Sequence, residues 1–217
     1  MRRRLHLVTN DAVLRRPDFV ATAVEAMRLG GPRAALHVRG PGTRGRDIFG
    51  IVGDLVSVAG DSGAALVVND RLDIVLALGL VWTHLGQRSL PPVYARSLLG
   101  ERARVGVSVH DVAEARKATQ GGADYLMVGT MFATSSHPEL APAGPSLLEA
   151  VGRITRLPLV AIGGITPERV GELLARGAQG VAVLGGVWGA ESPSRAVEVY
   201  LAALDQAGDT GEDLDTD

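Results

Sequence analysis

Eight short apolar runs recur along the chain: Leu5–Thr9, Ala34–Val38, Ala64–Val68, Leu80–His84, Ala103–Ser108, Asp124–Val128, Leu157–Ile162 and Gly180–Leu184. Each is a few residues long, aliphatic, and bounded by Gly, Asn, Asp or Arg, the pattern of strands buried on both faces of a parallel sheet. Amphipathic helical stretches fill the intervals: Pro17–Leu29, Asp47–Val58, Asp70–Leu78, Pro92–Leu99, Asp111–Gln120, Ser146–Thr155, Pro167–Ala175 and Ser192–Ala207. Pro17, Pro92 and Pro167 stand where a first helical turn tolerates proline. Asp111 reads as an N-cap with Glu114 as its capping-box partner, and Gly121–Gly122 and Gly177 as helix terminators. Strand–helix alternation repeated eight times predicts a single (β/α)8 barrel over residues 1–207. The alternative is an open doubly wound sheet, which wants a glycine-rich turn after its first strand; Thr9-Asn10-Asp11 is not one. Residues 208–217 are Gly- and acid-rich and are expected to form a disordered tail.

Composition narrows the picture. Of 217 residues 46% are hydrophobic but only 4% aromatic, so Val, Leu, Ala and Ile are expected to fill the interior. The absence of cysteine excludes disulfides, thiolate metal sites and a cysteine nucleophile. A net charge of −2 favours neither nucleic acid nor a membrane surface as partner. The basic Met1–Arg4 is followed by Thr9, Asn10 and Asp11 too soon for a secretory signal, so a cytoplasmic location is expected. Lys117 is the only lysine and lies in a helical stretch, which argues against Schiff-base chemistry at a strand end.

In such a barrel the strand C-terminal ends and following loops carry the site. The polar residues there are Asn10, Asp11, Arg39, Asn69, Asp70, the His84–Ser89 stretch, Ser108, Thr130 to His137 and Gly163 to Thr166. Asn10, Asp11 and Asp111 read equally well as caps or turn residues. Two glycine turns stand out, Gly163-Gly164 after the seventh run and Leu184-Gly185-Gly186 after the eighth. Glycines let backbone N–H groups approach an anion, and these two loops are the usual phosphate site of the fold; tight barrel-closing turns are the other reading.

Several segments then carry a resemblance. Val67-Val68-Asn69-Asp70-Arg71-Leu72-Asp73-Ile74 is similar to the "NDRVDIA" stretch of thiamine phosphate synthase and its relative, the TenI-type thiazole tautomerase. Gly106-Val107-Ser108-Val109-His110 resembles "GVSxH". Gly122-Ala123-Asp124-Tyr125 with Gly129, Phe132 and Thr134 resembles "GADYxxxGxxFxT", and Ala161 to Pro167 resembles "AIGGITP". Order and spacing hold from about Leu5 to Ala203. The resemblance implies a phosphorylated thiazole as ligand, with neither nucleic acid nor membrane as partner; homo-oligomerisation is left open.

The synthase joins a pyrimidine diphosphate to a thiazole phosphate and needs magnesium. Its "QxREK" falls on His37-Val38-Arg39-Gly40-Pro41, which keeps only the arginine. Its two metal carboxylates fall on Asp70 and Ser89, and its "TPTK" on Thr134-Ser135-Ser136-His137. Losing a carboxylate and two lysines weakens the neutralisation a diphosphate leaving group requires. Ser89 and the surrounding His84–Ser89 segment look like the TenI branch, which aromatises a carboxythiazole phosphate by proton transfer without metal or other cofactor. The expectation is therefore a TenI-like tautomerase. In it Gly163, Gly164, Leu184, Gly185 and Gly186 hold the phosphate, Arg39 anchors the carboxylate, and Asn69, Asp70, Ser108, Thr134, Ser135 and Ser136 line the pocket. The tautomerase histidine aligns with Thr130, so His137 is taken as the acid/base, with His37 and His84 as further rim candidates and His6 and His110 as structural. The alternatives are a thiamine phosphate synthase with magnesium on Asp70, and a non-catalytic thiazole-phosphate binder.

Overall fold

The computed structural model describes residues 4–134 and 141–209. Eight parallel strands close into one barrel in sequence order: β1 Leu5–Val8, β2 Ala34–Val38, β3 Ala65–Asn69, β4 Trp82–Leu85, β5 Arg104–Val109, β6 Tyr125–Gly129, β7 Leu159–Ile162 and β8 Gly180–Val183. Closure is made by β8 against β1, with Leu5 opposite Val181 and Leu7 opposite Val183. The helices are α1 Asp11–Leu14, α2 Phe19–Gly30, α3 Gly45–Ser62, α4 Leu72–Ala77, α5 Pro92–Leu99, α6 Val112–Gln120, α7 Ser146–Gly152, α8 Val170–Ala175, α9 Gly185–Trp188 and α10 Pro193–Asp209. Each expected strand is present within two residues, and the (β/α)8 barrel is the observed fold. No helix among the described residues is long and apolar enough to cross a membrane.

Two helices lie where loops were expected. α1 forms because Asn10 caps it, its side chain accepting from the Val13 N–H at 2.9 Å. α9 grows directly from the second glycine turn. At the other end, α10 takes up Gly208 and Asp209 from the expected tail; residues 210–217 lie outside the described residues.

Strand alternation separates two cores. Outward residues such as Leu7, Leu36, Val68, Val107, Leu126 and Val181 pack against the helices in one continuous cluster. Inward residues form smaller clusters, Val8, Tyr125, Met127, Val160 and Ala182 in one, and Ala35, Ala65 and Val67 in another, with Trp82 against both. Aliphatic filling thus describes the outer core and not the inner one. The barrel interior carries Trp82, Tyr125 and three buried histidines, His6, His37 and His84. Gly106 makes this arrangement fit: it lies opposite Tyr125 in the register, and a Cβ there would sit 2.0 Å from the tyrosine ring.

Candidate active site

A cavity of about 1140 Å³ opens at the C-terminal mouth of the barrel. Its floor is made by inward strand residues, Val8, Asn69, His84, Ser108, Met127, Ile162 and Ala182, and its walls by the loops that follow the strands. The structure brings together Arg39, Asn69, Asp70, Ser108, Thr134, Gly163, Gly164, Leu184, Gly185 and Gly186 on this one surface. Ser135, Ser136 and His137, also expected in the site, lie outside the described residues.

The β7 and β8 loops are fixed closely. Gly163 and Gly164 have φ of 105° and 61°, values L side chains rarely adopt. Gly164 is further confined by the Ala133 carbonyl, 2.4 Å from where a Cβ would be. At Gly186 a Cβ would meet the Tyr200 hydroxyl at 2.2 Å, whereas nothing lies within 4 Å of one at Gly185. The Gly185 and Gly186 amides belong to the first turn of α9, whose N–H groups have no partner within the helix. That turn is held from below: the Trp188 indole N–H donates to the Val8 carbonyl at 2.9 Å, and Arg16 donates to the Trp188 carbonyl at 2.7 Å. Tyr200 donates to the Ile165 carbonyl at 2.8 Å. Burial, with a contribution from Glu168, pushes its hydroxyl up to about 12.

Four strands away around the barrel, the β3 and β4 loops carry the carboxylate. Asp70 has φ 63°, the one positive φ outside glycine among the described residues, and aspartate is among the few residues that tolerate it. Its Oδ1 accepts from the Gly86 N–H at 3.1 Å and, in a short contact, from the Ser89 hydroxyl. Gly86 N–H also reaches Ser89 Oγ at 2.9 Å, so Asp70, Gly86 and Ser89 form one tight knot.

Among the described residues, four arginines line the cavity, Arg39, Arg71, Arg88 and Arg169, with Asp70 as the one carboxylate. Arg71 is engaged by Asp73 at 2.9 Å. Arg169 donates to the Gly164 carbonyl at 2.6 Å and lies 4.3 Å over the Phe132 ring. Of the four, only Arg39 stands among the site residues expected from the sequence. Arg88 lies within the segment after β4 that was read for its Ser89, and Arg169 looked like part of the helix after Pro167. The sign that would have found them is position: Arg88 and Arg169 both lie in the segments that follow a strand end, β4 and β7 respectively.

The histidines lie deeper than a rim position. His37 is fully buried below the cavity and His84 is 2% exposed in its floor. His84 Nε2 is 2.8 Å from Ser108 Oγ, and its Nδ1 is 3.2 Å from the Tyr125 hydroxyl. Burial, then the charges of His6 and Arg39, lower its pKa to about 3. Burial, then His6 and His84, hold His37 well below the ordinary imidazole value. Both shifts favour the neutral ring, which makes His37 and His84 weak bases. His6 is buried beside His37, and His110 pairs with Glu114 at 3.1 Å. Asn10 and Asp11 serve structure: Asn10 caps α1, and Asp11 ties the loop after β2 through Thr43 Oγ1 at 2.6 Å and the Gly42 N–H at 3.0 Å.

Comparison with known proteins gives the family of the chain. The family model described as thiamine monophosphate synthase matches residues 5–187. A thiamine-phosphate synthase of Chlorobium luteolum is 38% identical over 177 residues, covering 81% of this chain and 84% of that protein. One from Moorella thermoacetica is 40% identical over 163 residues, covering 75% and 78% respectively. Among solved structures, thiamine phosphate pyrophosphorylase from Pyrococcus furiosus superposes with a TM-score of 0.81 at 28% identity, over 94% of this chain and 96% of that one. These relatives bear the name of the synthase and not of the tautomerase. With the family match spanning the barrel and the glycine turns and Asp70 meeting at one mouth, the chain belongs to the thiamine monophosphate synthase family.

Proposed function

We propose that this protein is a thiamine phosphate synthase, a transferase that joins hydroxymethylpyrimidine diphosphate to a thiazole phosphate and releases the diphosphate. The observation that carries this reading is the charge layout of the cavity. Gly163, Gly164, Leu184, Gly185 and Gly186 form one anion cradle, while Arg39, Arg88 and the Asp70–Ser89 knot lie on the β2–β4 side. At about 1140 Å³ the cavity is larger than one small ligand fills. A ring carrying a single phosphate needs one cradle; two phosphorylated substrates need both. The arginines also answer the loss of the family's lysines, since guanidinium groups bind phosphate oxygens and stay charged.

Magnesium fits this site as a shared ligand and not as a preformed one. Among the described residues no three His, Cys, Asp or Glu cluster to hold a metal by themselves. Asp70 offers a carboxylate whose Oδ2 makes no hydrogen bond among the described residues, and Ser89 adds a hydroxyl beside it. One carboxylate and a hydroxyl suffice for magnesium when phosphate oxygens and water complete the octahedron. When bound there, magnesium would supply charge neutralisation to the departing diphosphate. The chain's own residues do the rest: Arg39 and Arg88 hold diphosphate oxygens, the glycine turns hold the thiazole phosphate, and Ser108 and His84 orient the pyrimidine from the floor.

The second reading, a TenI-like tautomerase, is favoured by Ser89 in place of a second carboxylate. It needs a proton carrier: among the described residues His37 and His84 are held toward the neutral form and Thr130 occupies the family's histidine position, while His137, the expected acid/base, lies outside them. The two readings separate in one experiment. The protein is given the thiazole tautomer alone, and in parallel both synthase substrates, each with magnesium or with chelator. Chelator-sensitive coupling supports the synthase. Chelator-insensitive aromatisation without coupling overturns it in favour of the tautomerase.

A further inference from the structure

Three inward side chains climb the barrel wall on neighbouring strands: His6 on β1, His37 on β2 and Asn69 on β3. His37 is paired in register with Val8 and with Val67, so each step rises two residues toward the mouth. His6 Nδ1 lies 2.9 Å from His37 Nε2, and His37 Nδ1 lies 3.3 Å from Asn69 Oδ1. All three are at least nine-tenths buried. The rings of His6 and Tyr125 pack at 5.6 Å and those of His6 and His37 at 5.1 Å, which holds the imidazoles in place. His37 stands where the family pattern has Gln, so the ladder is a property of this chain.

We infer that His37, held by His6, is a positioning residue that turns the Asn69 amide so that its Nδ2 faces the cavity as a hydrogen-bond donor, selecting a ligand with an acceptor at that point. The polarity follows from the partners. Asn69 Oδ1 only accepts, so His37 Nδ1 carries the hydrogen. A neutral ring then has no hydrogen on Nε2, which accepts from His6 Nδ1–H. Burial keeps His37 in that neutral form. Asn69 Nδ2 is left with no hydrogen-bond partner among the described residues, although the side chain lines the cavity floor and is only 9% exposed. A buried amide N–H without a partner is costly, and a ligand acceptor removes the cost. Arg39, two residues beyond His37 on the same inward side, lines the same wall. Donors therefore converge there, and the matching ligand chemistry is a phosphate oxygen or an unprotonated ring nitrogen. Reversing the ladder would turn the amide over, place the hydrogen on His37 Nε2, and present an acceptor to the cavity instead.

The ligand half of the inference rests on the function proposed above; the ring half does not. Nitrogen-15 NMR of the ligand-free protein at neutral pH should show His37 as the Nδ1–H tautomer. A Nε2–H tautomer overturns the inference. His6→Phe keeps an aromatic ring but removes the donor, and should convert His37 to a mixture of tautomers. His6→Gln, whose amide can still donate, should preserve the wild-type signal. Calorimetric dissociation constants for hydroxymethylpyrimidine diphosphate and thiazole phosphate, measured separately so that no turnover occurs, should rise about tenfold for at least one of them in His6→Phe and Asn69→Asp. Unchanged constants for both ligands in both variants overturn it. Loss of coupling activity with the tautomer and the binding effects intact counts against the proposed reaction and leaves the ladder standing.

Discussion

Asp70 is the carboxylate of the cavity lining among the described residues, and its surroundings say what its removal should do. Its Oδ1 is engaged by Gly86 and Ser89, so Asp70→Asn replaces a charged acceptor in a knot that joins two loops. Coupling should fall about 100-fold or more, with a higher magnesium requirement, as for removal of a charge aimed at a leaving group. The converse variant, Ser89→Asp, places a second carboxylate beside the first. It should lower the magnesium concentration needed for half-maximal rate, and without metal should raise the pKa of one of the pair. Magnesium titrations of the three proteins check both. The buried histidines make a different prediction. Between the ordinary value of 6.5 and about 3, His84 is neutral in the fold while the unfolded chain is protonated. The unfolded state then binds more protons, so stability falls as the pH drops below 6.5; His37 acts in the same direction. Each contributes a slope of up to about 1.4 kcal/mol per pH unit. Urea midpoints measured from pH 7 to 5, above most carboxylate titration, should decline, and His84→Gln should flatten the decline. The depth of these histidines was legible in principle: His6, His37, Asn69, His84 and Ser108 share the inward parity of their strands. Reading them as rim residues attended to distance from the strand end and not to parity.

At the scale of elements, the strands were legible because each is a bounded apolar run, and α6 because its caps are local. Asp111 accepts from the Glu114 N–H at 2.7 Å as expected, although Glu114 reaches back to His110 N–H at 2.7 Å and not to the cap residue's own amide. What escaped was the short α1, whose cap Asn10 was also readable as a turn residue, and α9, since Gly-Gly has low helix propensity and distant residues hold the turn. Trp188 is that anchor, 4% exposed and bonded to Val8 across the barrel seam. Trp188→Ala should cost about 3–5 kcal/mol in denaturant stability and raise KM for thiazole phosphate by displacing Gly185 and Gly186. Gly164→Ala should act on the other turn. With φ at 61° and Ala133 O in the way, the β7 loop must move, and thiazole phosphate binding should weaken about tenfold or more. The same change at Gly185, where no neighbour lies within 4 Å, should leave the fold intact, as thermal unfolding will show.

For the whole molecule, the closed barrel does what no local segment does. It brings loops from β2 to β4 and from β7 to β8 to opposite sides of one mouth, so residues far apart in sequence share a cavity. The place of the two glycine turns on the mouth was legible because both lie at the ends of their strands. On the opposite side, matching residue types one position at a time shows only the loss of a carboxylate and two lysines. Arg88, on that side, stands at a position outside the family's cation pattern, and only the closed structure counts charge over a surface. The names of the relatives, with the arginines among the described residues of the mouth, are what favour synthase over tautomerase. The measurement that tests this most directly follows phosphorus-31 signals after mixing the protein with hydroxymethylpyrimidine diphosphate and thiazole phosphate. With magnesium, inorganic diphosphate and thiamine phosphate should appear together in equal amounts, and chelator should stop both. Unchanged substrates in the presence of magnesium, from protein shown to bind thiazole phosphate, would contradict the account.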